Sequence, residues 1–360
     1  GVIGAADDQL EYRHAPLPTQ FQDQKVRQIE LDAWVDSSGG LYANPLIRQI
    51  TGGGSYDPVM KKPGFKVFHV QDVDYHSSCL TLVRCLTEVK DWSDAHPSHV
   101  PIAILVELKD EPLVIPGYTF ATPEPWTTAA MDQLDATIKS VLPADKLITP
   151  DDVRGSAATL RDAVTTTGWP TLTDSRGKVM FIMDNASFRS DYLVGHPDLQ
   201  GRVLFTNASP SDDDAAFIEM NDPSDPSIKT LVKEGFVVRT RADGDTVEAR
   251  ANDTTHRDEA LASGAQWVST DYPVPHWGIG FDNSYFAEIP GGVVARCNPV
   301  NAPPACVSAA LDTNYTAPVT PTTEPPTTVN VGTTVVTPTT AADNTAPGAT
   351  PVAGTSSFTG

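Results

Sequence analysis

The chain has 360 residues, 40 % of them hydrophobic, and a net charge of −21. That apolar content can bury a core, while the acidic balance excludes nucleic-acid partners, which are bound by neutralising phosphates with Lys and Arg. It also excludes electrostatic adsorption to an anionic leaflet, though a few cations could still hold a small anionic headgroup.

In chain order, the first predicted strand covers residues 26–35. Residues i and i+2 of a strand share a face, so Glu30 and Asp32 point one way and Ile29, Leu31 and Ala33 the other. A second strand over 65–70 carries His69 near its end. A helix over 79–95 leads to a strand over 102–109 that finishes in Glu107 and Lys109. Helices over 127–141 and 155–165 flank a weak strand at 147–149. The strand over 178–184 ends in Asp184, and another follows at 202–206. A helix over 228–234 precedes a strand over 236–241 that ends in Arg239 and Arg241. A helix over 256–263 and a strand over 266–270 bring the chain to Asp271.

Strands alternating with helices predict a parallel α/β sheet with crossovers. Without residues 147–149 the strands are one short of a closed eight-stranded barrel; the alternative is a first strand upstream of Gly1. From Thr313 to Gly360 only Glu324 and Asp343 are charged. The expected organisation is therefore a folded domain over 1–312 and a disordered Thr/Pro-rich stalk over 313–360. Four cysteines form two close pairs, Cys79/Cys85 and Cys297/Cys306, read as local disulfides. Helical spacing would hold Cys79 and Cys85 ~9 Å apart, so a bridge places Cys79 before the helix or in a distorted first turn. With the stalk and Asn-x-Ser/Thr triplets at Asn185, Asn207, Asn252 and Asn314, the cysteines point to a secreted or wall-exposed glycoprotein.

Six strands run apolar and finish in ionisable groups. In an α/β barrel such ends converge on the face where active sites are built. Glu30, Asp32 and Glu107 make a hard oxygen donor set, suited to calcium or magnesium rather than zinc. Carboxylates with one positioned His and a Lys or Arg suit phosphate-ester chemistry. The remaining histidines receive bland readings, with His96 and His99 expected at the surface around Pro97.

The run Arg27-Gln28-Ile29-Glu30-Leu31-Asp32 resembles the metal-binding strand of phosphatidylinositol-specific phospholipase C enzymes, most closely the secreted, calcium-dependent actinomycete type. Residues 66–75 and 78–86 look like that family's second-histidine segment and following helix, and Val106-Glu107-Leu108-Lys109-Asp110 is similar to its fourth-strand motif. The likeness runs from about Tyr12 to Pro273. It implies a TIM-type (β/α)8 barrel that cleaves phosphatidylinositol by attack of the inositol 2-hydroxyl, releasing diacylglycerol and a cyclic inositol phosphate. It implies Ca²⁺ held by Glu30, Asp32 and Glu107, with His69 as general acid and Glu30 assisting deprotonation. Lys109 would contact phosphate or ring hydroxyls, and Arg239, Asp184 and Asp271 are headgroup candidates by position. The family's first-strand motif with a His and an Asn has no match, so Gly1 is expected to be a truncation point and the first strand missing. The expected partner is phosphatidylinositol or another inositol phosphodiester, met by a monomer through transient contact with a membrane interface. At least one exposed aromatic near the strand ends is expected for such contact. Two alternatives stand beside this reading: a glycerophosphodiester phosphodiesterase on the same barrel, and a catalytically inactive secreted or cell-wall protein.

Overall fold

The computed structural model describes residues 8–312, so the stalk and Asn314 lie outside the described residues. Its strands are β1 (Gln28–Trp34), β2 (Lys66–Val67), β3 (Ile102–Lys109), β4 (Leu147–Ile148), β5 (Val179–Met183), β6 (Leu204–Phe205), β7 (Phe217–Glu219), β8 (Val237–Arg241) and β9 (Trp267–Ser269). β3 and β5 are buried along their whole length, as expected of central parallel strands covered on both faces. β1 alternates until its last residue, with Ile29, Leu31 and Ala33 in the core and Gln28, Glu30 and Asp32 half-buried on the other face.

The strands form two sheets. β1, β3 and β5 pair in parallel, and β5 also pairs with β4 along its first half and β6 along its second. β7, β8 and β9 make a second parallel sheet. Among the described residues the strands do not join into one closed eight-stranded ladder. β6 and β7 are too short to pair along a ladder and meet only at the Asn207–Phe217 bridge. The Asn207 side chain supplies further bonds there, donating to the Asp184 carbonyl (2.9 Å) and accepting from the Glu219 amide (3.1 Å). Between β9 and β1 the link is a side-chain bond, Ser269 Oγ to Gln28 Oε1 at 2.9 Å.

β2 corrects the strand expected over residues 65–70. It is two residues long and antiparallel to β1, so His69 sits in the loop beyond it. The chain turns back at once, through bridges between Lys66 and Thr81 and between Val70 and Asp74, with Asp72 at φ +66°. Lys66 is fully buried there and pairs with Asp36 at 2.9 Å.

Helices cover the sheet. Leu82–Ala95 is capped by Thr81, which accepts from the Arg84 amide, and buries Leu82, Cys85, Leu86, Val89 and Trp92. Thr128–Val141 is capped the same way by Thr127 and buries Met131, Leu134 and Ile138. Both disulfides are formed, and Cys79 precedes its helix, with its Cα 5.0 Å from that of Cys85. Ser227–Glu234 ends at Gly235, where φ is +103° and a Cβ would strike the Val164 carbonyl, so only glycine fits.

His99 is not at the surface. It is fully buried beside the start of β3, with Nε2 2.7 Å from Ser93 Oγ and Nδ1 2.6 Å from the Val100 carbonyl. The sequence around Pro97 looks polar, but the chain folds under the helix Leu82–Ala95 and satisfies both ring nitrogens. Burial pushes its pKa down to about 4, against the pull of the Val100 carbonyl. The unfolded ring takes up a proton near pH 6.5, so this contribution to stability is complete above that pH and is lost as pH falls towards 4, to about 3 kcal/mol. The stability gap between wild type and His99→Gln, measured by urea unfolding, should therefore narrow by about 3 kcal/mol between pH 7 and pH 4. A gap constant with pH would show that the folded ring protonates normally.

Candidate metal and catalytic site

Register builds the centre. Across the parallel β1–β3 ladder Asp32 stands opposite Glu107, and Trp34 opposite Lys109. Glu30 is two residues from Asp32 on the same face. One carboxylate oxygen from each of Glu30, Asp32 and Glu107 falls within 4.8 Å of the others. Lys109 Nζ lies 2.7 Å from Glu107 Oε2.

The electrostatics of this cluster are strained. Burial, with repulsion from Asp32 next, pushes Glu107 up to about 8. Burial lifts Asp32 to about 6, against the pull of Lys109 and His69. Burial alone would lower the Lys109 pKa, but Asp32 and Glu107 outweigh it and raise it. Three hard oxygen donors in like-charge contact are the arrangement a divalent cation relieves, and a calcium ion takes 6–8 such oxygens. The residues therefore fit Ca²⁺, with further ligands coming from water or a phosphate oxygen.

His69 stands beside the cluster, within electrostatic reach of Asp32 and Lys109. Its Nδ1 is held at 2.8 Å from the Tyr12 hydroxyl and 3.1 Å from Asp74 Oδ2. Burial works to lower its pKa, but the Asp74 hydrogen bond and the Asp32 charge raise it. Nε2 has no hydrogen-bond partner among the described residues, so a protonated ring presents one donor outward.

Arg239 is 2 % exposed and enclosed by acceptors. It donates to Ser269 Oγ (2.7 Å), Asn221 Oδ1 (2.6 Å), Glu219 Oε1 (3.0 Å) and Glu30 Oε2 (3.2 Å). Its guanidinium is thus shared among these four acceptors, Glu30 included. Asp184 follows β5, and burial together with the neighbouring Glu219 carboxyl lifts it to about 7. Asp271 follows β9, is lifted to about 6 by burial against the pull of Arg241, and lies 3.8 Å from His14 Nε2. The strand-end residues singled out in the sequence therefore gather on one electrostatically connected face.

Three participants escape the sequence. Glu219 ends β7, whose three residues are too short a run to stand out as a strand. Asp74 lies five residues after His69, within a segment whose tight turn has no local signature. Tyr12 arrives from the N-terminal segment, and no local pattern announces its contact.

A family model described as phosphoinositide phospholipase C, Ca²⁺-dependent, matches residues 3–299. No curated relative matches the chain. Among solved structures, the Ca²⁺-dependent phosphatidylinositol-specific phospholipase C from Streptomyces antibioticus aligns at 17 % identity and TM-score 0.47, covering 69 % of this chain and 86 % of that one. The calcium-dependent phosphoinositol-specific phospholipase C from a Gram-negative Pseudomonas sp. aligns at 19 % identity and TM-score 0.49, covering 79 % of this chain and 92 % of that one. Its myoinositol complex aligns at 18 % identity with the same TM-score, 0.49, and the same coverage, 79 % and 92 %. With a family match that spans most of its length, the chain belongs to the Ca²⁺-dependent phosphoinositide phospholipase C family.

Proposed function

We propose that this chain cleaves phosphatidylinositol between phosphorus and the glycerol oxygen, by attack of the inositol 2-hydroxyl, giving diacylglycerol and a cyclic inositol phosphate. The scaffold is read as a TIM-type barrel with its catalytic end at the strand C-termini. The observation that carries the reading is the juxtaposition of the Glu30–Asp32–Glu107 oxygens with a histidine anchored at Nδ1 and open at Nε2.

Glu30, Asp32 and Glu107 would hold the calcium. When bound, that ion neutralises phosphate charge and lowers the pKa of the attacking hydroxyl. Lys109 adds a positive charge for the phosphate oxygens. Glu30, held in place by Arg239, takes the 2-hydroxyl proton as the new O–P bond forms. His69 Nε2 delivers a proton to the departing glycerol oxygen as the old P–O bond breaks, and Asp74 stabilises the imidazolium before that transfer. Asp184 and Asp271 would accept hydrogen bonds from ring hydroxyls. Two disulfides support a secreted setting in an oxidising compartment.

Phosphatidylinositol hydrolysis in calcium, with products followed by phosphorus NMR, tests the reading. Appearance of a cyclic inositol phosphate supports it, and cleavage of only soluble glycerophosphodiesters contradicts it. His69→Ala should lose ~10²–10⁴ in rate, since an alkoxide is a poor leaving group without its acid. Its calcium affinity by calorimetry should be unchanged, because His69 is assigned no ligand role. Asp74→Asn should move the alkaline limb of the kcat–pH profile to lower pH. Removing the carboxylate removes the interaction that raises the His69 pKa, so the acid is lost sooner as pH rises. A limb that stays in place would separate Asp74 from the proton donor.

A further inference from the structure

Three Asn-x-Ser/Thr triplets fall among the described residues, at Asn185, Asn207 and Asn252. An N-linked glycan is transferred to an extended chain, so the folded structure decides which modified chain can still fold. The modified side chain keeps its amide oxygen and one N–H but carries a bulky sugar on Nδ2, so Nδ2 has to face solvent. Asn207 does not meet that condition. It is half-buried, its Nδ2 donates to the Asp184 carbonyl (2.9 Å), and its Oδ1 accepts from the Glu219 amide (3.1 Å). A sugar there would stand in the gap that these bonds close between the end of β5 and β7. Asn185 is also half-buried, follows Asp184 directly, and accepts at Oδ1 from the Leu108 amide of β3 (2.6 Å). A sugar on it would stand over the strand ends.

Asn252 meets the condition. It is exposed, between the exposed residues Ala251 and Asp253. It ends the short helix Val247–Ala251 in the left-handed region, at φ +52°, a conformation that Asn tolerates. Its Oδ1 accepts three hydrogen bonds, from the Ser284 amide (2.6 Å), the Ser284 hydroxyl (2.9 Å) and the Tyr285 amide (2.9 Å). Its Nδ2 makes no hydrogen bond among the described residues, so the amide is held by its oxygen alone. A glycan on Nδ2 leaves that oxygen and its three bonds intact. The left-handed cap accounts for the Asn, but no local role accounts for Thr254. Thr254 precedes the helix Thr255–Ser263 without capping it, and its hydroxyl donates to Asp258 Oδ2 at 3.3 Å. Asp253 and Thr255 stand where a proline would spoil the triplet.

We propose that Asn252 is the N-glycosylation site of the folded domain and that Asn185 and Asn207 stay unmodified. The donor is an oligosaccharide carried on a polyprenyl diphosphate. The bond from Asn252 Nδ2 to the anomeric carbon forms as the bond from that carbon to the diphosphate oxygen breaks. The polyprenyl diphosphate leaves with the electron pair, and the amide nitrogen gives up one proton to a base of the transferase. The proposal is independent of the phospholipase reading. It requires passage through a secretory compartment, which the two disulfides support.

The test secretes the full chain from yeast and takes the soluble fraction that melts cooperatively. Peptide-N-glycosidase, which leaves Asp where a glycosylated Asn stood, is followed by peptide mass mapping. The Asn252 peptide should be converted, and the Asn185 and Asn207 peptides should not. The reading is made peptide by peptide, so occupancy at Asn314 does not enter it. Thr254→Ala removes the acceptor triplet and keeps the Asn252 oxygen bonds. It should lose the Asn252 glycan with an unchanged melting temperature, as expected of a surface substitution outside any cap. Thr254→Ser should keep the glycan. An unconverted Asn252 peptide from the wild type overturns the proposal. So does conversion at Asn207 or Asn185 in the folded fraction, because a chain modified there should not reach that fraction.

Discussion

Asp32 facing Glu107 across the β1–β3 ladder is the contact on which the remaining arrangement turns. A buried and a half-buried carboxylate in register repel, and burying unpaired charge is costly. The apolar faces of the strands compel the juxtaposition. Ile29, Leu31 and Ala33 enter the core from β1, and β3 is buried throughout, so a one-residue slip would turn β1's apolar set out of the core. Hydrophobic burial therefore holds in place an electrostatic conflict of the kind a divalent cation would relieve.

The surrounding cations and hydrogen bonds are arranged to contain that conflict without cancelling it. Lys109 meets Glu107, and Arg239 directs its donors to Glu30, Glu219, Asn221 and Ser269. Through these bonds Arg239 ties β1 to β7 and β9, which gives one side chain a structural and a positioning role. Asn207 does similar work where β6 and β7 are too short to pair fully. The strand ends are thus held by side chains as much as by backbone ladders. This is the region where the strands part into two sheets.

What can be read from sequence follows the length of the elements. β1, β3, β5 and β8 are five to eight residues long, apolar, and end in or beside charge, so both their existence and their site residues are evident. β7 has three residues and does not stand out, and Glu219 is hidden with it. His69 is identified through its motif but not its setting, because the antiparallel turn after Val67 is fixed by long-range pairing with β1 and Thr81. Tyr12 and Asp74 are invisible for the same reason: their value lies in one hydrogen bond to His69 that the tertiary fold creates. His99 shows the reverse error, a polar-looking segment buried because Ser93 and the Val100 carbonyl satisfy it.

The central claim is that one calcium ion is shared by Glu30, Asp32 and Glu107. A crystal soaked in calcium, with the ion located by anomalous scattering, tests it most directly. The account predicts a single strong site with an oxygen of each of the three residues at ~2.3–2.6 Å. An ion bound elsewhere, or one that leaves Glu107 hydrogen-bonded to Lys109 and outside its coordination shell, would contradict it.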